Sequence, residues 1–270
     1  MRFAEMASRE DEEINIAEAA LLIAAEEYPR LDVELYIEKL DSFGEAAAER
    51  AIGARTPLDL IAAVNATLFE ELGFHGNRES YYDPRNSYLN EVIDRRTGIP
   101  ITLTVVYIEV ANRVGLAIKG VGLPGHFIAK HETDDGEIFV DPFNDGRILG
   151  TVECSELLSE TTGGAVELEL EHLTAVNNKQ ILTRMLTNLV GIHGAADKRR
   201  ALAAIDRILL LNPSSPRHLR DRGLLLAQLG EARSALEELE RYLDLSPHAA
   251  DADVIREQIT ALRKNRAKLN

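Results

Sequence analysis

The chain has 270 residues, 45% hydrophobic and 28% charged, a balance that places it among folded domains and excludes a disordered segment. Its 30 Lys and Arg against 45 Asp and Glu leave a net charge of −15, which opposes attraction to a phosphate backbone, so no nucleic-acid partner is expected. A single cysteine, Cys154, excludes disulfide scaffolds, redox pairs and multi-thiolate metal sites.

The longest apolar run, Ala19 to Ala25, is seven residues, against the roughly 18 that a bilayer span needs. The acidic start of the chain is unlike a secretory signal, so a cytoplasmic protein with no membrane partner is expected. By length, about 1.8 domains are anticipated.

From Glu12 to about Gly73 the pattern is helical. Ile14, Ala17, Leu21 and Ala24 hold a three-to-four-residue spacing that Pro29 stops, and the period returns over Leu31–Leu40 and Pro57–Leu72, with Thr56 as N-cap before Pro57. Between Gly73 and Pro100 turn formers dominate and predict an ordered loop. Leu103, Val106, Val110 and Val114 then give a helical stripe that ends at Gly115, although its β-branched content also suits a strand. His126–Glu132 and Glu137–Asp141 flank Thr133-Asp-Asp-Gly136 and predict a hairpin. A second loop is expected over Asn144–Gly164, and helix again from about Asn178 onward.

The last zone repeats. Asn212-Pro213 and Ser246-Pro247 lie 34 residues apart, the tetratricopeptide period. Gly223, Gly230, Ala235 and Pro247 fall where two helices of such a repeat cross closely and end. An upstream copy through Ala201 and Pro213 is degenerate, with Leu189 where glycine is usual. A last helix with Ile255, Ile259 and Leu262 on one side would close the stack.

Seven histidines carry no HxH, HExxH or clustered ligand spacing, so neither metal nor cofactor is expected. His75, His172, His193, His218 and His248 read as residues of loops or polar helix faces. His126 stands apart, because Gly120-Val-Gly-Leu-Pro-Gly125 before it is a small-residue approach that holds a strand start against another backbone. Hairpin parity links it to Asp141. A four-residue loop sets residue 132 opposite 137 and His126 opposite 143, a two-residue loop sets it opposite 145, and in both registers Asp141 shares its face. In the first register the separation is about 7 Å before the side chains lean together. A carboxylate there can orient an imidazole, as in a nucleophile-His-Asp relay, or simply pin the hairpin. The basic run Arg263-Lys-Asn-Arg266 complements a helix C-terminus.

Gly73-Phe-His-Gly-Asn77, Tyr82-Asp-Pro-Arg-Asn-Ser-Tyr-Leu-Asn90, Arg95-Arg-Thr-Gly-Ile-Pro100, Pro124-Gly-His-Phe127 and Asp141-Pro-Phe-Asn144 together resemble the SirB1 family of bacterial proteins, and the resemblance runs from Leu21 to the C-terminal helix. It implies an α+β fold: a papain-like, transglutaminase-like domain over 1–177, helical to 73 with its core over 74–177, followed by an all-α tetratricopeptide array over 178–270. It further implies a Cys at a helix N-terminus, then a His and an Asp on adjacent strands. His126 and Asp141 match the last two. Near the Cys position, Pro100 to Thr102, this chain has Pro-Ile-Thr, and Cys154 comes after both partners in chain order. Thr102 is a weak nucleophile candidate, since a hydroxyl has no accessible anionic form near neutral pH, and its better-supported role is to cap the turn after Pro100.

The expectation is therefore a non-catalytic or catalytically altered transglutaminase-like protein. It would bind a protein or peptide through the repeat groove and a cleft whose mouth carries Asn86, Asn90, Arg95 and Arg96. Arg95 or Arg96 would hold a carboxylate or an internal salt bridge. The alternative is an amide-bond hydrolase or acyltransferase with His126 as base, Asp141 as orienter and Thr102 or water as nucleophile. A metal-dependent hydrolase on His126 and Asp141 has too few ligands.

Overall fold

The computed structural model describes residues 2–133, 136–194 and 196–269, with side chains described to residue 264. Two compact units emerge, one spanning Arg9–Met185 and the other joining Phe3–Ser8 to Leu186 onward.

In the Arg9–Met185 unit, helices α2 (Ile16–Ala24), α3 (Val33–Arg50) and α4 (Pro57–Asn65) follow the α1 segment (Arg2–Ala7), and each is opened by a side-chain cap. Asn15 accepts from the Glu18 N–H, Asp32 from that of Leu35, and Thr56 from that of Asp59, whose carboxylate returns a bond to the Thr56 N–H. Such caps are worth about 1 kcal/mol each. A π-turn over Ala66–Glu71, invisible to a 3.6-residue period, leads to the parallel dipeptide pair β1 (His75–Gly76) and β2 (Thr97–Gly98), with α5 (Leu89–Arg95) between them.

Helix α6 (Pro100–Arg113) is the centre of this unit, with every residue from Pro100 to Ala111 buried. Its continuous apolar run left helix and strand both open in the sequence because a helix covered on all sides has no polar stripe. Helices α2, α3, α4 and α5 pack on it, as do strands β3 (Lys119–Val121) and β4 (Ile128–Thr133). These join β5 (Gly136–Asp141), β6 (Arg147–Leu149) and β7 (Ala175–Val176) in one antiparallel sheet of order β6-β5-β4-β3-β7.

The hairpin pairs Glu132 with Glu137 and Ala129 with Val140, which is the first of the two expected registers. Asp134 and Asp135, the centre of the expected turn, lie outside the described residues. Strand β4 begins at Ile128, so His126 precedes the strand instead of opening it. The close approach expected of the glycine run is at Gly120 to a side chain and not to another backbone: a Cβ there would meet the Phe127 ring at 2.8 Å.

The expected loop over 144–164 is corrected. It contains β6 and then helix α7 (Thr151–Thr162), started where the Glu153 carboxylate accepts from the Gly150 N–H at 3.0 Å. Cys154 and Leu158, one turn apart, are the buried stripe that the Ser, Thr and Glu around them masked. They join Val121, Leu123, Ile128, Phe139, Leu149 and Leu173 in burial, Cys154 within their cluster.

The second unit is helical. Helix α8 (Asn178–His193) crosses the unit boundary, and α9 (Lys198–Leu211), α10 (Pro216–Gln228), α11 (Ala232–Leu245) and α12 (Ala252–Leu269) follow. Gly223 sits where a Cβ would come within 2.7 Å of the Leu239 side chain, Ala235 is fully buried, and Gly230 turns with φ +82°. Ile255 and Ile259 are buried with Leu219, Leu236, Leu239 and Tyr242, with Leu262 packed beside them. His193, expected on a polar face, is instead buried. Arg263 reaches Glu240 at 2.8 Å, while the Arg266 side chain lies outside those described.

Candidate functional site

His126 is delivered by the glycine-proline turn after β3. Its N–H donates to Leu123 O at 3.1 Å, and Thr104 of α6 donates to the next carbonyl, that of Phe127, at 3.2 Å. Asp141 ends β5, and the chain turns at once into a 3-10 segment over Pro142–Asn144. The carboxylate serves both features. His126 Nε2 donates to its Oδ1 at 2.9 Å and Oδ2 at 3.0 Å, while the Phe143 N–H donates to Oδ1 at 3.1 Å and Asn144 Nδ2 to Oδ2 at 2.5 Å. Both partners are buried, at 5% and 1% exposure. Phe143 stands edge-on to the imidazole at 5.8 Å, so the ring is held by a carboxylate and an aromatic edge at once. Among the described residues, Nδ1 has no hydrogen-bond partner.

Gly76 of β1 makes room for this arrangement. A Cβ there would fall 2.6 Å from Phe143 O and 2.7 Å from its ring. Arg78 then reaches over the Phe143 ring, 5.0 Å from its centroid, and donates to Asn144 Oδ1.

Thr102, in the first turn of α6, is fully buried. Its hydroxyl faces Asn86 O at 2.8 Å and Ile99 O at 3.1 Å as donor, and accepts from the Ile99 N–H at 3.2 Å. The oxygen is tied into main chain on either side of the helix start, which is a capping role. Cys154 is also fully buried, and its thiol is pushed up to about 11, chiefly by burial and further by the charges of Glu153 and Asp141. That is the opposite of the activation a reactive thiolate needs.

The remaining expected residues brace the loop between β1 and α5. Asn86 is fully buried; its Nδ2 donates to Ser80 O at 2.7 Å and Tyr81 O at 3.2 Å, and its Oδ1 accepts from Asn77 Nδ2 at 3.0 Å and, weakly, from Arg95 at 3.5 Å. Arg95 also lies 3.9 Å from Asp83, whose carboxyl the fork of Arg85 holds below the usual carboxylate range. Asn90 is buried in α5, its Oδ1 without a partner among the described residues. Arg96 takes a left-handed conformation at φ 58° and stacks over Phe43 and Phe74, at 4.5 and 4.9 Å. Among the residues this braced loop presents outward are Tyr81 and Tyr82, in edge contact and 37% and 80% exposed.

Structure therefore brings His126 and Asp141 together with Phe143, Asn144 and Arg78, and ties Thr102 to Asn86. Phe143 and Asn144 sit in the Asp141-Pro-Phe-Asn144 motif, which was the available signal for them. Arg184 carried no signal: it lies on α8, 58 residues from His126, yet donates to His126 O at 2.6 Å and Leu123 O at 2.8 Å. Among the described residues no group of three or more His, Cys, Asp or Glu is placed to hold a metal ion.

Comparison with known proteins matches residues 34–187 to the transglutaminase-like superfamily and residues 192–260 to the tetratricopeptide repeat. A protein of Xylella fastidiosa (strain Temecula1), named UPF0162 protein, is 42% identical over 266 residues, covering 97% of this chain and 94% of its own. A UPF0162 protein of Vibrio cholerae is 29% identical over 196 residues, covering 72% of each. F-box only protein 21 of Mus musculus is 34% identical over 141 residues, covering 49% of this chain and 22% of that one. No solved structure matches.

Proposed function

From the premise that the chain belongs to the transglutaminase-like superfamily, with tetratricopeptide repeats after the core, we propose that it is a protein-binding member of the SirB1 type in which the cleft has become a recognition surface. One observation carries the reading: among the described residues, neither of the expected nucleophiles is free to react. Thr102 is buried with its oxygen committed to residues 86 and 99, and Cys154 is a core thiol pushed up by burial. A hydroxyl in that state must first lose its bonds to the main chain.

What survives of the relay is a rigid wall. Asp141 fixes the imidazole, Phe143 flanks it, and the outward tyrosines offer stiff contact area of the kind that anchors peptides. Tetratricopeptide repeats generally mediate protein–protein contacts, and their stacked helices form a groove for a peptide or helix. The division of labour we assign is a core over 1–177 that reads part of a partner and a repeat array over 178–270 that holds another part. We place this activity in the bacterial cytoplasm with no nucleic acid involved; no described helix is long and apolar enough to cross a membrane.

The test is affinity capture with the full chain, followed by titration of the retained protein against wild type and Tyr82→Ala, which alters only an exposed side chain. Saturable binding that Tyr82→Ala weakens, with an unchanged circular dichroism spectrum, is expected. Failure to retain any partner, or equal binding by the variant, defeats the cleft half of the reading.

A second reading rests on the unpartnered Nδ1 of His126: an amide-bond hydrolase in which this nitrogen activates a water while Asp141 holds Nε2. It requires turnover that His126→Ala abolishes.

A further inference from the structure

We propose that the surface beside the His126–Asp141 pair recognises an acidic peptide, with Arg184 taking a carboxylate and Arg78 supplying a second positive charge. This rests on the binding-protein reading and names the chemistry of its partner.

Arg184 is half-buried and its position is fixed. Both hydrogens of Nη2 are used, on Leu123 O at 2.8 Å and His126 O at 2.6 Å, and the guanidinium lies 5.3 Å from the Phe127 ring centroid. Among the described residues, Nε and Nη1 make no hydrogen bond and no carboxylate lies within ion-pair distance. Burial disfavours its charged form, and no carboxylate among the described residues offsets that. A preorganised, partly desolvated cation with free donors gains most from an anion that arrives with a ligand. Gly122 packs against this guanidinium: a Cβ there would stand 3.1 Å from Nη1, so Gly122→Ala pushes on Arg184 directly.

Arg78 lies over the Phe143 ring, which is itself edge-on to the His126 imidazole. It is exposed, spends its described hydrogen bond on the neutral Asn144 amide, and likewise has no carboxylate partner among the described residues. Two cations unpaired with acids, in a chain of net charge −15, frame the dyad. Tyr81 stands edge-on, at 6.2 Å, to the Phe143 ring that Arg78 covers. The exposed tyrosine faces favour a peptide over a small inorganic anion, which would leave that apolar surface unused.

The experiment titrates the 15N-labelled full chain with three probes, Ac-Gly-Glu-Gly-NH2, Ac-Gly-Gln-Gly-NH2 and inorganic phosphate, following the Nε–H resonance of Arg184. The glutamate peptide is expected to shift that resonance saturably, and about tenfold or more tighter than the glutamine peptide, as a charge-assisted contact implies. Since Arg184→Gln would strip donors from two carbonyls and can unfold the turn, Gly122→Ala and Arg78→Gln are the variants. Each is expected to weaken binding several-fold with the fold intact. No shift of Arg184, equal binding of the two peptides, or phosphate binding as tightly as the glutamate peptide overturns the proposal. Cleavage of a peptide alongside a normal Arg184 shift would instead overturn the non-catalytic reading and leave the anion site standing.

Discussion

Asp141→Asn changes one atom at the centre of the site, and its cost can be worked from the contacts. At 1% exposure the carboxylate accepts from His126 Nε2, the Phe143 N–H and Asn144 Nδ2. Every one of these is a donor, so an amide nitrogen in place of either oxygen sets a donor against a donor, whichever way the side chain turns. The substitution loses charge-assisted bonds worth about 1.5–3 kcal/mol each and leaves the imidazole buried against a repelled group. Breaking one partner of such a buried network costs about 3–5 kcal/mol. The cost falls on the Arg9–Met185 unit, where about 2–4 °C per kcal/mol gives a Tm drop of about 6–20 °C. Urea unfolding followed by circular dichroism, with the two units allowed separate transitions, measures it. A loss under about 1 kcal/mol would refute the claim that Asp141 organises both the imidazole and the turn after it.

Three further outcomes follow from the same geometry. Gly76→Ala drives a methyl into Phe143 and should cost about 1–3 kcal/mol, with a shift of the His126 ring resonances; unchanged spectra would contradict the close approach. Cys154, buried with its thiol pushed up to about 11, should react with a thiol-specific disulfide reagent at pH 8 only as fast as the unit unfolds, so a rapid native reaction would be inconsistent with its burial. The Asp83 carboxyl is held below its ordinary range, first by the Arg85 fork. Its folded value lies below its unfolded one, so its contribution is full above about pH 4 and is lost as pH falls through the depressed value. Because Arg85 is 56% exposed, the part that Asp83→Asn removes from the acid limb should stay under about 1 kcal/mol.

Much of this site was legible in the sequence for a reason tied to pleat geometry. A strand alternates faces every residue, so either hairpin register set Asp141 on the side of His126, and the pairing of Glu132 with Glu137 chose between them, although His126 itself lies just before the strand, on the turn that starts it. Thr56 and Thr102 were readable as caps because a helix start leaves its first N–H groups unpaired in a fixed place. The helix over Thr151–Thr162 was not legible, since only Cys154 and Leu158 of its twelve residues are buried and the rest look like a loop. Arg184 was hidden for a different cause. Its partners are main-chain carbonyls 61 and 58 residues away, and no side-chain pattern marks a carbonyl as an acceptor.

The central claim is that the site keeps its His126–Asp141 pair while Thr102 and Cys154 are both unavailable as nucleophiles. Release of amine or ammonia from a panel of amide and glutamine-containing peptides, compared among wild type, His126→Ala and Thr102→Val, tests it most directly. The predicted result is the same background rate for all three, with Thr102→Val altered only in stability. Turnover by wild type that falls with His126→Ala or Thr102→Val, in variants that remain folded, would contradict it.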